Sequence, residues 1–452
     1  MDVSQPKTPV STQAPEPITL AQAFWYWLKL GFISFGGPVG QIAIMHHDLV
    51  EKKRWISEQR FLHAFNYCMV LPGPEAQQLA TYIGWLMHRT WGGIIAGVMF
   101  VLPSFFVLLA LAWIYMTYGG VPAVAGVLYG IKPAVVAIVL FASYRIGSRI
   151  LKNPLLWTIS VLAFLAIFVF HLPFPSIVLA AGLIGYFGGR ISPRHFKAVG
   201  EHGASKKDFG SALIDDDTPT PVHALFSWSK MLRIIAVGIG IWLAVMAVLL
   251  IRYGWESTFT QMGWFFTKAA LLTFGGAYAV LPYVYQGAVE HYHWLTPIQM
   301  IDGLALGETT PGPLIMVITF VGFAGGWSQQ VFGGDAVFAS ALIASTIATF
   351  FTFLPSFIFV FLGGPFIETT HGNLKLTAPL TAITAAVVGV IASLALFFAY
   401  HVFWPGGFDN SVDGFSITLA AIATLTLFRF KVGVIPVILC CGGGGLAWRL
   451  LV

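Results

Sequence analysis

The stretch Leu71-Pro72-Gly73-Pro74-Glu75-Ala76-Gln77-Gln78 decides how this chain is read. It lies inside an apolar segment, 61–88, that is otherwise long enough to be a membrane helix. Proline has no backbone N–H and its ring clashes with the preceding turn, so two prolines around a glycine break the helix. Within lipid, such a break is tolerated only where its freed backbone groups are satisfied by protein or line a water-filled cavity. The same break recurs at Thr310-Pro311-Gly312-Pro313, with Pro311 lying 239 residues after Pro72.

The repetition spreads outward from these breaks. At the same offset the chain repeats Trp25 as Trp264, Lys29 as Lys268, Phe35-Gly36-Gly37 as Phe274-Gly275-Gly276, Val50-Glu51 as Val289-Glu290 and Trp55 as Trp294. Ser34 and Ser57 become Thr273 and Thr296. Further on, Leu102-Pro103-Ser104-Phe105 returns as Leu354-Pro355-Ser356-Phe357, now 252 residues later. The offset grows by 13, which fits an insertion near 327–335.

Composition sets the environment. Of 452 residues, 57% are apolar and 10% charged, with a mean hydropathy of +0.80. A soluble domain carries about 25% charged residues, so this is an integral membrane protein. Many apolar stretches reach the roughly 20 residues that a spanning helix needs. The short alternating segments of a β-barrel are absent. The net charge of +5 does not point to nucleic acid, because Lys and Arg sit mainly in loops. Cys68, Cys440 and Cys441 form no spaced metal pattern. No metal or cofactor is expected. The zinc, Walker and nucleophile-elbow motifs are missing, so an enzyme is not expected.

The chain divides into a disordered cytoplasmic tail (1–20), a first repeat (21–190), a polar cytoplasmic linker (191–230), a linking membrane helix (231–254) and a second repeat (255–452). The tail lacks a basic start followed by an apolar core, so it does not read as a cleavable signal peptide. Equivalent segments lie seven apolar segments apart, an odd number, which turns the second repeat upside down. Loop charge agrees: Lys52-Lys53-Arg54 has His291-Tyr292-His293 as its counterpart, and cytoplasmic loops favour Lys and Arg. The expected fold is an all-α polytopic membrane protein with two inverted-topology repeats and broken or re-entrant helices. Two counts fit: about nine crossings with four re-entrant elements, or about thirteen crossings. The first puts nearly every Lys and Arg on one face, with Arg252 and Arg449 dissenting.

Inverted repeats with broken helices are a recurring plan of secondary transporters. Helix N-termini offer unpaired N–H groups and partial positive charge to anions. Gly36, Gly37, Gly73, Gly275, Gly276 and Gly312 are therefore candidate backbone contacts to a substrate; a plain packing kink is the alternative. Lys29 and Lys268 either supply positive charge to the site or extend to the interface along their own helices. Glu75 follows the first break and Glu308 precedes the second. Intramembrane carboxylates often relay protons or gate, although Glu75 also suits a helix N-terminus as a cap. Gln77, Gln78, Thr309 and Thr310 are candidate pore-lining groups. His46-His47-Asp48 reads as an interfacial turn rather than a metal site.

At these motifs the chain resembles the chromate ion transporter family, in its long two-domain form. The carriers are Phe35-Gly36-Gly37-Pro38, Trp55, Leu71-Pro72-Gly73-Pro74-Glu75 with Gln77-Gln78, Phe274-Gly275-Gly276, Trp294, Glu308 and Pro311-Gly312-Pro313. The resemblance implies chromate export across the bacterial inner membrane, with sulfate as the related dianion. Without an ATP motif, a proton gradient or the membrane potential would drive it. The expected partners are thus chromate or sulfate, the lipid bilayer and a second copy in a homodimer. An uncoupled anion channel is the alternative.

Overall fold

The computed structural model describes residues 15–35, 37–196, 209–370, 377–408 and 411–451. Among them run sixteen α-helices, and the sole extended pairing is an isolated bridge between Ile56 and Ile214. Most of the expected tail and linker residues 197–208 lie outside the described residues.

The first repeat opens with α1 (Leu20–Ile33) and α2 (Gly37–His46), the latter continued by a π-type turn, His47–Lys52. A capping box between Thr19 and Gln22 starts α1. Between α1 and α2 the chain reverses. Trp55, just past α2, meets the Tyr26 ring at 4.7 Å, and Lys53 lies over the same ring. Both limbs thus open on one face, and the pair is a re-entrant hairpin.

A second hairpin joins α3 (Glu58–Cys68) to the first limb of α4 (Glu75–Tyr118) around Pro72-Gly73-Pro74. Its mouth lies on the same face. Arg60 donates to the Thr218 carbonyl, and His223 Nε2 donates to the Trp85 carbonyl at 2.9 Å. The chain then reverses at His88–Arg89, where Arg89 takes φ 56°. Close approach makes this turn possible: a Cβ on Gly84 would lie 2.5 Å from both the Gly92 carbonyl oxygen and Ala96 Cβ. The second limb, 90–118, returns through the full thickness.

The second repeat builds the same two hairpins. α9 (Thr258–Leu272) and α10 (Ala277–Tyr285) form the third, closed where Trp294 packs 5.5 Å from Phe265. Phe265 and Trp294 are the repeat partners of Tyr26 and Trp55. α11 (Pro297–Thr309) and α12 (Val317–Gln329) form the fourth, around Pro311-Gly312-Pro313. Residues 330–336 then lead into α13 (Val337–Thr370), where the first repeat uses only the tight turn at His88–Arg89. This is the site of the extra 13 residues inferred from the offset.

The remaining helices are α5 (Pro122–Ile150), α6 (Pro154–Phe168), α7 (Phe174–Ile191), α8 (Trp228–Tyr253), α14 (Thr377–Phe403), α15 (Gly414–Phe428) and α16 (Val434–Leu451). Seven helices among the described residues are long and apolar enough to cross a membrane. Contacts at the ends assign the faces. On the linker face, Asn153 donates to the His195 carbonyl and Arg60 pairs with Glu368 near the end of α13. At the opposite face, Gln286 of the third hairpin accepts from the Phe174 N–H, and Tyr253 meets Phe332 of the loop after the fourth. Hairpins one and two therefore open on the linker face, and hairpins three and four on the other. With the shorter α6 and α15, which run between the same two faces, the described residues hold nine helices that run from face to face and four re-entrant hairpins, in line with the first of the two expected counts.

Residues 209–224 are docked rather than loose. The Leu213 and Ile214 N–H groups donate to the Arg54 and Trp55 carbonyls, the Ser57 N–H returns a bond to Ile214, and Ser57 Oγ donates to Asp216 at 2.5 Å. Burial pushes the His223 imidazole below its ordinary pKa, which favours the neutral form that donates to Trp85. The linker thus clasps the mouths of the first two hairpins.

In a variant whose three native cysteines are replaced, Lys53→Cys and His291→Cys should react with a membrane-impermeant thiol reagent from opposite sides of sealed vesicles. Labelling of both from one side would refute the inverted arrangement.

Candidate functional site

The four hairpins meet tip to tip. The Gly73 N–H of hairpin two donates to the Thr273 carbonyl of hairpin three at 2.8 Å. The Gly312 N–H of hairpin four donates to the Ser34 carbonyl of hairpin one at 2.7 Å. These bonds are repeat partners, since Thr273 stands for Ser34 and Gly312 for Gly73. Each break thus satisfies the backbone that the opposite repeat leaves open, as a lipid-embedded break requires. Glycine is needed for two reasons. Gly73 and Gly312 adopt φ +126° and +95°, and a Cβ would run into Ser356 Oγ in the first case and lie 2.7 Å from Ser104 Cβ in the second.

Around this junction gathers a polar set with few partners. The hydroxyls of Ser34, Ser104 and Ser356 are fully or almost fully buried and have no hydrogen-bond partner. The amides of Gln41, Gln77 and Gln78 are fully buried, and each leaves its oxygen unpaired. Gln41 Nε2 donates to the Gly312 carbonyl at 2.5 Å, and Gln78 Nε2 to the Pro72 carbonyl at 2.7 Å. An unpaired buried polar group costs about 1–3 kcal/mol, so six in one region of an apolar protein mark a place built for something other than packing.

Both carboxylates border the tips. Glu75 begins α4 at the positive end of its dipole. A methyl group on Gly276 would lie 3.8 Å from Glu75 Oε1, so this carboxylate faces the break of hairpin three. Glu308 lies in the last turn of α11 and accepts from Tyr278, two residues past Gly276. The Arg145 guanidinium on α5 stands within electrostatic reach of Tyr278. Both glutamates keep partial exposure despite their depth.

The other expected residues divide clearly. Gly276 sits in the junction, whereas Gly275 faces Thr384, 3.2 Å from a would-be Cβ. Gly37 has open space where a side chain would point. Gly36 lies outside the described residues. The Gly73 and Gly312 N–H groups are engaged across the repeats in this conformation, so they do not face an anion here. Thr309 and Thr310 spend their hydroxyls on the Leu306 and Gly307 carbonyls. Lys29 is exposed on the outer side of α1, one turn from Trp25, itself 67% exposed. Lys268 is half-buried against Trp264 at 5.5 Å. The structure does not bring the two lysines into the junction. His46 and His47 pair with Glu58 and Glu51, as befits an interfacial turn.

Several groups escaped the sequence reading. Tyr278 and Arg145 carried no motif signal beyond aromatic content and loop charge. Glu368 links Arg60 at 3.6 Å to Tyr82 at 2.5 Å, tying hairpin two to α13. The repeated pairs Pro103-Ser104 and Pro355-Ser356 point in the sequence to kinks in helices that line the site, and Ser104 and Ser356 lie against Gly312 and Gly73.

The chromate transporter family model matches residues 21–186 and again 260–446, one match per repeat. The chain belongs to the chromate transporter family. It is 32% identical to a chromate transport protein of Pseudomonas aeruginosa over 97% of this chain and 95% of that protein. It is 30% identical to a chromate transport protein of Cupriavidus metallidurans over 91% and 89% of the respective chains. An uncharacterized transporter of Bacillus subtilis, YwrA, matches 39% of this chain across 97% of its own length at 27% identity. A transporter similar to this chain can thus be about one repeat long. No solved structure matches.

Gly73→Ala and Gly312→Ala should each lower the thermal denaturation midpoint of the detergent-solubilised protein, since an alanine in the left-handed region costs about 1–3 kcal/mol. Gly240→Ala, on the open face of α8 with no neighbour near a Cβ, serves as control and should not. Equal midpoints for all three would show that the tips are not in tight contact.

Proposed function

We propose that this protein is a secondary transporter that exports chromate from the cytoplasm across a bacterial inner membrane, drawing on the proton gradient or the membrane potential. One observation carries the reading: the buried hydroxyl-rich junction lies where four oppositely facing hairpins touch, in a chain whose two repeats both match the chromate transporter family. Chromate is a tetrahedral dianion, and oriented O–H and N–H donors hold such an ion without a full counter-charge. Ser34, Ser104 and Ser356 donate to its oxygens, joined by the backbone at Gly37 and Gly276. Separation of the tips frees the Gly73 and Gly312 N–H groups as further donors.

Access alternates because the hairpins open on opposite faces. Loosening hairpins one and two exposes the junction to the linker face; loosening three and four exposes it to the other. The linker face carries Lys52, Lys53, Arg54, Arg89 and Arg429 and is the cytoplasmic one by loop charge. Arg145 attracts the anion from that side, in place of Lys29 and Lys268, which lie away from the junction. Glu75 and Glu308 exchange protons or gate release, since a carboxylate beside a bound dianion is favoured only when protonated. Sulfate, with the same shape and charge, competes.

The test is radiolabelled chromate flux in proteoliposomes with imposed pH and voltage gradients. Flux should follow one of the gradients, and excess sulfate should inhibit it. Glu75→Gln and Glu308→Gln should each cut the gradient-driven initial rate by at least about tenfold, a loss of about 1.4 kcal/mol in barrier terms, with membrane insertion retained. Lys29→Gln should keep most of the flux. Flux indifferent to both gradients would favour an uncoupled channel, and full activity of both glutamine variants would remove the carboxylates from the mechanism.

A further inference from the structure

The face opposite the linker holds a cavity of about 380 Å³ between the ends of α4, α5, α11 and α16. Tyr115, Tyr129, Lys132, Gln299, Asp302 and Arg449 supply its polar walls. At about 30 Å³ per water it has room for a hydrated small ion. Its two cations stand on the face that loop charge marks as depleted of them. Arg449 is one of the two residues that break the charge rule, and topology alone gives no reason for it. Among the described residues it forms no ion pair.

The cavity floor is a strained arrangement of charge. Asp302 is 2% exposed; its Oδ2 accepts from Tyr115 at 2.9 Å, and its Oδ1 has no partner. Lys132 Nζ stands 3.7 Å from the same Oδ2. A charge-assisted hydrogen bond spans about 2.7–2.9 Å, so this is an ion pair at arm's length. An ammonium has three donors, and Lys132 lines the cavity while it faces Asp302.

We infer that this cavity is a second oxyanion site, an outer vestibule in which Lys132 and Arg449 bind the dianion and Asp302 competes with it for Lys132. The inference rests on the transport reading above. An oxyanion in the vestibule draws Lys132 away from Asp302. That weakens the hold of α5 on α11, the outer limb of hairpin four, whose tip meets Ser34 at the junction. When the anion leaves, Asp302 recaptures the ammonium and hairpin four closes. Occupancy of the vestibule is thereby linked to opening of the junction on that face. The clamp on the linker face joins other elements and has the opposite arrangement of charge, with Arg60 on hairpin two and Glu368 on α13. Only the outer clamp places its cation on the fixed wall, where an arriving anion meets it.

The experiment is radiolabelled chromate transport in right-side-out and inside-out vesicles, giving a KM from each face. Arg449→Gln and Lys132→Gln should raise the KM from the vestibule face about tenfold, the size of change expected for a cation at a binding-site rim, and leave the linker-face KM within about twofold. Arg449→Lys should restore most of the affinity, which loss of packing would not predict. Asp302→Asn should lower the vestibule-face KM by freeing Lys132. Unchanged KM values from both faces, or equal changes from both, would overturn the vestibule. If wild-type protein moves no chromate from either face, the transport reading falls. The vestibule is then judged by equilibrium dialysis of radiolabelled chromate: weaker binding by Lys132→Gln and Arg449→Gln than by wild type supports it, and equal binding overturns it.

Discussion

Two reciprocal hydrogen bonds hold the centre of this molecule, Gly73 N–H to the Thr273 carbonyl and Gly312 N–H to the Ser34 carbonyl. Helices cross lipid because they satisfy their own backbone, and this chain interrupts four of its elements where no water is at hand. One repeat alone would leave a broken backbone exposed in hydrocarbon. Two repeats placed head to head complete each other, because what Gly73 lacks Thr273 supplies and what Gly312 lacks Ser34 supplies. The inversion is what brings each Pro-Gly-Pro tip onto the Gly-Gly tip of the other repeat from the opposite face. The same logic extends to side chains: Ser356 lies against Gly73 and Ser104 against Gly312, each serine contributed by the other repeat.

The large features of the fold were legible in the sequence because proline, glycine and tryptophan at fixed offsets act locally. Pro72-Gly73-Pro74 cannot continue a helix in any environment, and its exact return at Pro311-Gly312-Pro313 requires a second copy of the same element. Trp55 and Trp294 close their hairpins as equivalent residues must. Loop charge then chose between crossing and re-entry, since it reports the side on which each end lies. What stayed hidden depends on rotation about helix axes. Lys29 and Lys268 stand at the right depth for an anion site, but the face each presents is set by how α1 packs on α4 and α9 on α8 and α13. Tyr278 and Arg145 were invisible for the converse reason: nothing local shows that residues so far apart in the chain point toward one another. Sequence marks the glycine N–H groups as freed by the breaks; those of Gly73 and Gly312 bond backbone carbonyls of the other repeat in this conformation.

That competition gives the site its character. On the proposed reading, an N–H that can bond either a carbonyl or an oxyanion would switch the junction between closed and loaded by exchange of partners rather than by exposure of bare polar groups. Charged clamps at the two ends sit far from this exchange but act on the same hairpins. Arg60 with Glu368 ties hairpin two to α13, and Asp302 with Lys132 ties hairpin four to α5. A conformational change that opens one face therefore has a defined set of bonds to break, at the tip and at the mouth.

A cryo-electron microscopy structure of the full chain in lipid nanodiscs tests the central claim most directly. In the closed state it should place hairpins one and two opening on the linker face, hairpins three and four on the other, with the Gly73–Thr273 and Gly312–Ser34 bonds both formed. Tips separated by lipid, or four hairpins opening on one face, would contradict it.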